Sequence, residues 1–282
     1  MTRPEIDGAS GEPVGEQVPC GVGAQSTNRL SWSPRVQWAP ECHELPRCDG
    51  SWRFDRPPGD MSYRVKEMFP TLQGEGMNAG RVAVFCRFTG CNLWSGHEAQ
   101  RSSAVCRFCD TDFVGTDGPG GGVFTDSAGL VEAIASQWSG ATGEAPASAS
   151  AGVVPLVVFT GGEPLLQLDG GLVEAVSVAG FEVAVETNGT IPLPAGIDWV
   201  CVSPKAGSDV VVRSGDELKV VYPQAGLDPD SMRPPEWEFG HFLVQPMDGP
   251  ERAANTAAAV RYCLAHPRWR LSVQTHKELG IP

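Results

Sequence analysis

The chain has 282 residues, of which 41% are hydrophobic, so it can bury the core of one large domain or two small ones. It carries 21 Lys and Arg against 34 Asp and Glu, a net charge of −13, which argues against the basic surface that nucleic-acid binding needs. No apolar run approaches the roughly 20 residues that cross a bilayer, and the N-terminus lacks the features of a secretory signal. We therefore expect a cytoplasmic protein without nucleic-acid or membrane partners.

Residues 1–60 are rich in Pro, Gly, Ser and charged side chains, without a sustained hydrophobic period. This composition is typical of a disordered segment. Several tryptophans and cysteines within it leave open a small metal-binding or docking element. An ordered pattern begins at Met61, where translation itself could start. We predict a disordered extension over 1–60 and one folded domain over 61–282.

Apolar strands alternate with helical stretches through the rest of the chain. Strands that read as apolar almost throughout are typical of a parallel sheet with helices on both faces. We therefore predict an α/β fold in which the sheet closes fully or partly into a (β/α) barrel. Strands are predicted at 82–88, 155–160, 181–187, 199–203, 217–221, 241–245 and 270–275.

Three helices are predicted between these strands, at 126–138, 171–180 and 250–266. Asp126 is a plausible N-cap for the first, and Pro250 suits the first turn of the third. The glycine-rich segments 117–122 and 139–152 are predicted to be flexible loops, inserted between the regular elements.

Six of the predicted strands run into polar or glycine-rich turns. In barrels of parallel strands the working residues sit just beyond the carboxyl ends of the strands. We therefore expect these turns to converge on one rim. The six turns begin with the letters "TGCNLW", "GGEPLL", "NGT", "PKAG", "PMDG" and "HKELGIP".

Cys91, Cys106 and Cys109 lie on this rim, with 14 residues in the first gap and two in the second. Nine cysteines in a chain without an export signal favour reduced thiols over a disulfide framework. With His97 as fourth ligand the three could bind zinc. Without a fourth protein ligand they would leave one iron of a [4Fe–4S] cluster open to a small molecule. The spacing alone does not decide between these sites.

The segment "TGGEP" at 160–164 follows a predicted strand on the same rim. Its glycines allow backbone groups to approach a ligand closely, and Glu163 can accept hydrogen bonds from an ammonium group. Together with the thiols, this segment favours a ligand that carries an amine.

The motifs "CRFCDT" and "TGGEPLLQ", with Cys91 upstream, resemble those of the radical S-adenosylmethionine superfamily. "EMFPTLQGEG", "FCRFTGCNLW", "VETNGT", "SPK" and "VQPMDG" resemble one branch, the 7-carboxy-7-deazaguanine synthases, over residues 61–282. The superfamily usually spaces its cysteines CxxxCxxC, whereas this chain has CX14CXXC, a variation known within this branch.

This resemblance implies a lyase of 7-deazapurine (queuosine) biosynthesis. Cys91, Cys106 and Cys109 would hold three irons of a [4Fe–4S] cluster, and S-adenosylmethionine would chelate the fourth. Its cleavage would give a radical that takes hydrogen from 6-carboxy-5,6,7,8-tetrahydropterin. The pterin ring would contract with loss of ammonia to 7-carboxy-7-deazaguanine. A small electron donor such as flavodoxin or ferredoxin and a homodimer are further expectations from the family.

The resemblance also assigns individual residues. Arg87 would hold the substrate carboxylate and Thr111 would bind Mg²⁺; from the sequence alone, they could instead be a solvent-facing strand residue and a turn former. The remaining pterin-binding positions are Leu72, Gln73, Gly74, Glu75, Thr160, His276 and Pro282. The S-adenosylmethionine positions are Phe108, Asp110, Gly162, Glu163, Ser203, Pro204, Lys205, Gln245, Pro246, Met247 and Asp248.

Two other functions are consistent with parts of the sequence. One is a different radical S-adenosylmethionine activity, such as that of an activase, since the superfamily motifs do not define the target of the radical. The other is a non-enzymatic binding module stabilised by zinc at the three cysteines and His97. The gap between Cys91 and Cys106 could shield the cluster, dock the electron donor or be a solvated loop, and the last two interpretations are favoured.

Overall fold

The computed structural model describes residues 62–150, 152–234 and 236–282. The prediction of a disordered extension over 1–60 lies outside the described residues. The strands are β1 Tyr63–Leu72, β2 Val82–Phe88, β3 Gly122–Phe124, β4 Leu156–Gly161, β5 Glu182–Thr187, β6 Trp199–Val202, β7 Ser214–Tyr222, β8 Glu238–Pro246 and β9 Trp269–Leu271. The helices are α1 Ser127–Thr142, α2 Gly170–Val178, α3 Arg252–Ala265 and α4 Thr275–Leu279.

The described strands form a nine-stranded sheet in the order β3-β1-β2-β4-β5-β6-β7-β8-β9. The pairs β3–β1 and β1–β2 are antiparallel. Every pair from β2–β4 to β8–β9 is parallel. The predicted α/β fold with a mostly parallel sheet is confirmed.

The two faces of the sheet bury separate apolar clusters. Along β4, Val157 and Phe159 belong to a large cluster that includes α1 and α2, whereas Leu156 and Val158 belong to a small one on the opposite face. Both faces of this strand are buried, which explains why it reads as continuously apolar. No helix in the described part of the chain is long and apolar enough to span a membrane.

The strands β1 and β3 were not predicted from the sequence. The letters of β1, "YRVKEMFPTL", include three charged side chains, which obscure its pattern. One of them, Lys66, is nevertheless buried, because its ammonium pairs with Asp112 at 2.9 Å and Asp117 at 2.8 Å. Ion pairing with a loop about 50 residues downstream in the sequence thus permits a lysine in this strand.

The segments 117–122 and 139–152, predicted as flexible inserted loops, are only partly loops, since 117–121 form a turn that leads into β3 and 139–142 belong to α1. In the first segment, Gly118 donates to the carbonyl of Lys66 at 2.9 Å and Pro119 accepts from Met68 at 2.7 Å, so this turn is bonded to β1. A Cβ on Gly121 would clash with the carbonyl oxygen of Lys66, so only glycine permits this approach.

The second segment begins inside α1, which continues to Thr142 and ends at Gly143 with a φ of 76°. A short 3₁₀ turn follows at Pro146–Ser148.

Two smaller differences between prediction and structure lie near the C-terminus. Pro250 stands before α3 rather than in its first turn. The predicted strand 270–275 is the shorter β9, Trp269–Leu271, and α4 follows it at Thr275.

The predicted cap of α1 is confirmed, because the Asp126 carboxylate accepts from the Gly129 N–H at 2.9 Å. We expect Asp126→Ala to lower the free energy of unfolding by about 1 kcal/mol, since it leaves a helical donor without this partner. Urea unfolding followed by circular dichroism would measure the loss. Glu132→Ala is the control, because Glu132 is exposed in the same helix and its side chain makes no hydrogen bond with the described residues. Equal stability of the two variants would contradict the role of the cap.

Candidate active site

A cavity of about 440 Å³ opens at the carboxyl ends of the parallel strands, where sequence analysis expects the working residues. Its wall includes every residue that the resemblance assigns except Glu163 and Pro204. These residues are Leu72, Gln73, Gly74, Glu75, Arg87, Cys91, Cys106, Phe108, Cys109, Asp110, Thr111, Thr160, Gly162, Ser203, Lys205, Gln245, Pro246, Met247, Asp248, His276 and Pro282.

The three cysteines share one wall of this cavity. The backbone N–H of Leu93 donates to the sulfur of Cys91 at 3.4 Å. The thiol of Cys106 donates to Cys109, which lowers the pKa of Cys109 to about 6 and raises that of Cys106. The positive charge of Lys205 makes a smaller contribution, which acts to lower the pKa of both cysteines. Burial raises the pKa of Cys91, so Cys109 is the one cysteine of this wall whose pKa favours thiolate, the form that binds metals.

The arrangement fits an iron–sulfur cluster better than a zinc ion. The described residues contain no group of three or more His, Cys, Asp and Glu side chains that could hold a single metal ion. His97, the fourth ligand that a zinc site would need, is exposed and lies outside the cavity wall. A four-iron cluster binds each thiolate to a different iron, so its ligands need not meet at one point. The absence of a Cβ at Gly162 leaves the cysteine wall room, since a side chain there would clash with Gly90 and Cys91.

Glu163 lies behind the wall instead of on it. Its side chain is fully buried and accepts hydrogen bonds from the Leu165 N–H at 3.0 Å, the Thr187 hydroxyl at 2.7 Å and the Asn188 N–H at 2.8 Å. Burial raises the pKa of this carboxyl, while the three donors lower it. The Asn188 amide in turn donates to Asn92, the neighbour of Cys91, at 3.0 Å. The carboxylate thus connects the end of β4 to the end of β5 and, through Asn188, to the loop that carries the three cysteines (residues 91–109, the cysteine loop). Pro204 is likewise buried behind the wall, between two residues that line it.

On the same cavity, Lys219 joins two carboxylates. Its ammonium lies 2.6 Å from Glu75 and 2.6 Å from Glu186, and its side chain is 3% exposed. Gln274 donates to the second oxygen of Glu75 at 3.0 Å, and Gln73 donates to that of Glu186 at 3.3 Å. Burial alone would raise the pKa of Glu75, but Lys219 outweighs it and holds the pKa at about 2. Burial alone would lower the pKa of Lys219, but the neighbouring acidic groups outweigh this effect and raise the pKa well above its ordinary value.

Lys219 and Glu186 were missed as site residues, although both fall inside predicted strands. The signal that could have found them is a charged residue within an apolar strand, as in "FEVAVET" and "ELKVV". Such a residue needs a buried partner, because burying an unpaired charge is costly.

Arg87 faces the cavity instead of solvent, with 18% of its side chain exposed. Its Nε donates to Glu67 at 2.8 Å, and its terminal nitrogens make no hydrogen bond with the described residues. The hydroxyl of Thr111 also lacks a hydrogen bond among these residues and lies on the cavity wall. Both side chains therefore have capacity for a ligand.

The C-terminal residues complete the rim. The Thr71 hydroxyl donates to the carbonyl oxygen of Pro282 at 2.9 Å. Lys277, which sequence analysis missed, lies 2.5 Å from Asp110 and 2.6 Å from Asp248. His276 lies against Gly74, where any side chain would clash with its ring, and burial lowers its pKa.

We expect Lys219→Met to lower the free energy of unfolding by about 3–5 kcal/mol at pH 7.5, because it leaves two partly buried carboxylates, each 18% exposed, without their cation. In the wild type Glu75 has a lowered pKa and loses its stabilising effect only as the pH falls toward about 2. In the variant the orphaned carboxylates favour protonation, so its deficit should shrink between pH 7.5 and 5.5. Urea unfolding of the cluster-free protein at both pH values would measure this.

The double variant Lys219→Met/Glu75→Gln is the control and should recover part of the loss, since it removes one orphaned charge. A Lys219→Met deficit that does not change with pH would contradict the assigned charges.

The chain is similar in sequence and in overall structure to known proteins. No protein-family model matches the chain. The 7-carboxy-7-deazaguanine synthase of Bordetella pertussis is 62% identical over 222 residues, which cover 79% of this chain and 100% of that protein. The 7-carboxy-7-deazaguanine synthase of Bradyrhizobium diazoefficiens is 58% identical over 221 residues, covering 78% and 100%. A crystal structure of QueE from Escherichia coli superposes with a TM-score of 0.53 at 27% identity, covering 77% of this chain and 95% of that one. This chain therefore belongs to the 7-carboxy-7-deazaguanine synthase family.

Proposed function

We propose that this chain catalyses the radical S-adenosylmethionine-dependent ring contraction of 6-carboxy-5,6,7,8-tetrahydropterin to 7-carboxy-7-deazaguanine, with loss of ammonia. The product is a precursor in 7-deazapurine (queuosine) biosynthesis. The observation that carries this proposal is the single cavity in which three thiols, Arg87 and the Glu75–Lys219–Glu186 group meet. The family membership of the chain supports the same reaction.

Cys91, Cys106 and Cys109 would hold the cluster, leaving one iron for S-adenosylmethionine. When bound together, the cluster and S-adenosylmethionine supply a radical that removes hydrogen from the substrate. Lys205 lines the cavity near the thiols and its ammonium contacts Ser203 at 2.6 and 2.7 Å, which suits a carboxylate ligand. The remaining S-adenosylmethionine positions are Phe108, Asp110, Gly162 and the segment 245–248, all on the cavity wall.

The pyrimidine ring of a reduced pterin is flat and carries N–H donors along one edge. The carboxylates of Glu75 and Glu186 can accept from such donors, and Lys219 pairs with both of them. Phe69 and Phe85 line the same cavity with ring centres 5.9 Å apart, so the cavity offers an apolar surface to the pterin ring as well as polar groups.

Arg87 would bind the substrate carboxylate through its two free terminal nitrogens, since Glu67 already orients its Nε. Thr111 would place its hydroxyl on Mg²⁺ together with substrate oxygens and water. The neighbouring Asp112 is engaged by Lys66 at 2.9 Å, so we assign it no role on the ion. A small electron-transfer protein such as flavodoxin or ferredoxin, and a homodimeric state, belong to the proposal on family grounds.

Anaerobically reconstituted protein incubated with reductant, S-adenosylmethionine, Mg²⁺ and 6-carboxytetrahydropterin should yield 7-carboxy-7-deazaguanine, detected by mass spectrometry. Cys106→Ala should abolish both the brown colour and S-adenosylmethionine cleavage, because one cluster ligand is lost. Cleavage of S-adenosylmethionine without the ring-contracted product would favour a different radical activity. Colourless protein containing stoichiometric zinc would contradict any radical S-adenosylmethionine activity and favour the zinc-stabilised binding module.

We expect Arg87→Met to lower kcat/KM for 6-carboxytetrahydropterin by about 10- to 100-fold, because a hydrogen-bonded charge pair with the carboxylate is lost. Most of the loss should appear in KM, since the carboxylate is bound throughout the reaction. The inhibition constant of 6-methyltetrahydropterin, which has no carboxylate, should not change. An equal loss of affinity for both pterins would show that Arg87 acts on the fold or the ring instead of the carboxylate.

A further inference from the structure

The 14 residues between Cys91 and Cys106 form a closed loop. The carbonyl of Leu93 accepts from the Val105 N–H at 3.1 Å and the Cys106 N–H at 3.3 Å, which joins the two ends of the gap. Between these ends a 3₁₀ turn runs over Glu98–Ser103. A loop closed in this way has a defined interior, so its side chains can act on the cysteines that flank it.

Arg101 lies in this turn and reaches both flanks. Its guanidinium carbon lies 4.0 Å from the centre of the Trp94 ring. One of its terminal nitrogens donates to the carbonyls of Arg107 and Cys109, both at 3.1 Å. Its Nε donates to the Glu98 carboxylate at 2.7 and 2.8 Å. The side chain is 27% exposed, so these contacts are only partly screened by water.

The Trp94 contact reaches the first cysteine. Trp94 is buried, and its ring meets the edge of Phe113 at 5.6 Å between centres, so the indole is fixed in place. The backbone N–H of Leu93, the residue before Trp94, donates to the sulfur of Cys91 at 3.4 Å. A guanidinium stacked on this indole therefore helps to hold the backbone turn that orients Cys91.

The carbonyl contacts reach the other two cysteines. Arg107 stands between Cys106 and Cys109, so the two carbonyls belong to the turn that presents both thiols. Only arginine combines a flat face for the indole with a fork of N–H donors for backbone oxygens. The Glu98 carboxylate orients the Arg101 guanidinium but adds little to stability, because the Glu98 side chain is 76% exposed.

We propose that Arg101 is a positioning residue that sets the spacing between the Cys91 thiolate and the Cys106–Cys109 pair for the cluster. This inference rests on the proposed function, since it requires the three cysteines to bind a cluster. It gives the long gap a role inside the cluster site, in place of the donor-docking or solvated loop that the sequence favours. In this chain one side chain connects the two parts of a ligand motif that the gap separates.

The test measures iron release from the reconstituted holoprotein to a ferrous chelator under anaerobic conditions. Arg101→Gln should release iron about tenfold faster than the wild type, since it loses the stacked cation and the paired carbonyl bonds. The electron paramagnetic resonance spectrum of the reduced cluster should also broaden. Arg107→Gln is the matched control and should match the wild type, because the Arg107 side chain is exposed and its hydrogen bond goes only to the Ala104 carbonyl.

The proposal is overturned if Arg101→Gln releases iron at the wild-type rate, or if Arg107→Gln releases it as fast as Arg101→Gln. If cluster-free Arg101→Gln does not fold, as judged by its thermal transition, Arg101→Lys is held to the same criterion. That variant keeps the charge but loses the planar fork. Failure of the wild type itself to retain iron would overturn the proposed function, whereas equal retention by all variants would overturn only the role of Arg101.

Discussion

The buried carboxylate of Glu163 is the interaction on which the cysteine wall depends. It accepts from Leu165 in its own turn and from Thr187 and Asn188 at the end of β5. The backbone N–H of Glu163 donates to the carbonyl of Gly90, the residue before Cys91, at 2.9 Å. Each of these bonds forms away from water, where leaving a donor unpaired costs about 1–3 kcal/mol. The motifs "TGGEP" and "ETNGT" and the start of the cysteine loop are therefore held in one arrangement.

The rest of the rim is joined by charges. Lys219 connects β7 to the turn after β1 and to β5, and Lys277 connects α4 to the cysteine loop and to the end of β8. These ion pairs join segments that are remote in sequence, so the cavity has a defined shape only in the folded chain. The same cavity is lined by three thiols and by paired carboxylates, which suits a substrate that combines N–H donors with an anionic group. The proposed chemistry depends on this combination of thiols and paired charged groups more than on any single residue.

Much of this arrangement could be predicted from the sequence, because its signals are local. Apolar runs marked the parallel strands, and the rule that parallel strands end on one rim placed the cysteines and the "TGGEP" segment together, whereas Arg87 was assigned by the family resemblance. What escaped prediction depends on distant partners. Lys219 is 144 residues from Glu75, and nothing in "ELKVV" shows what neutralises its charge. Glu163 was expected to face an ammonium group, yet three protein donors take its oxygens.

Amide hydrogen exchange in Glu163→Gln tests most directly whether this carboxylate fixes the strand ends. Glutamine would place an N–H₂ group against the donors that the carboxylate now satisfies. If Glu163 holds these segments together, exchange should accelerate about tenfold in the peptides covering 187–190 and 90–92 as well as in 163–166, as expected for the loss of a buried hydrogen bond to a charged group. Faster exchange confined to 163–166 would contradict this role and show that the cysteine loop is held by other contacts.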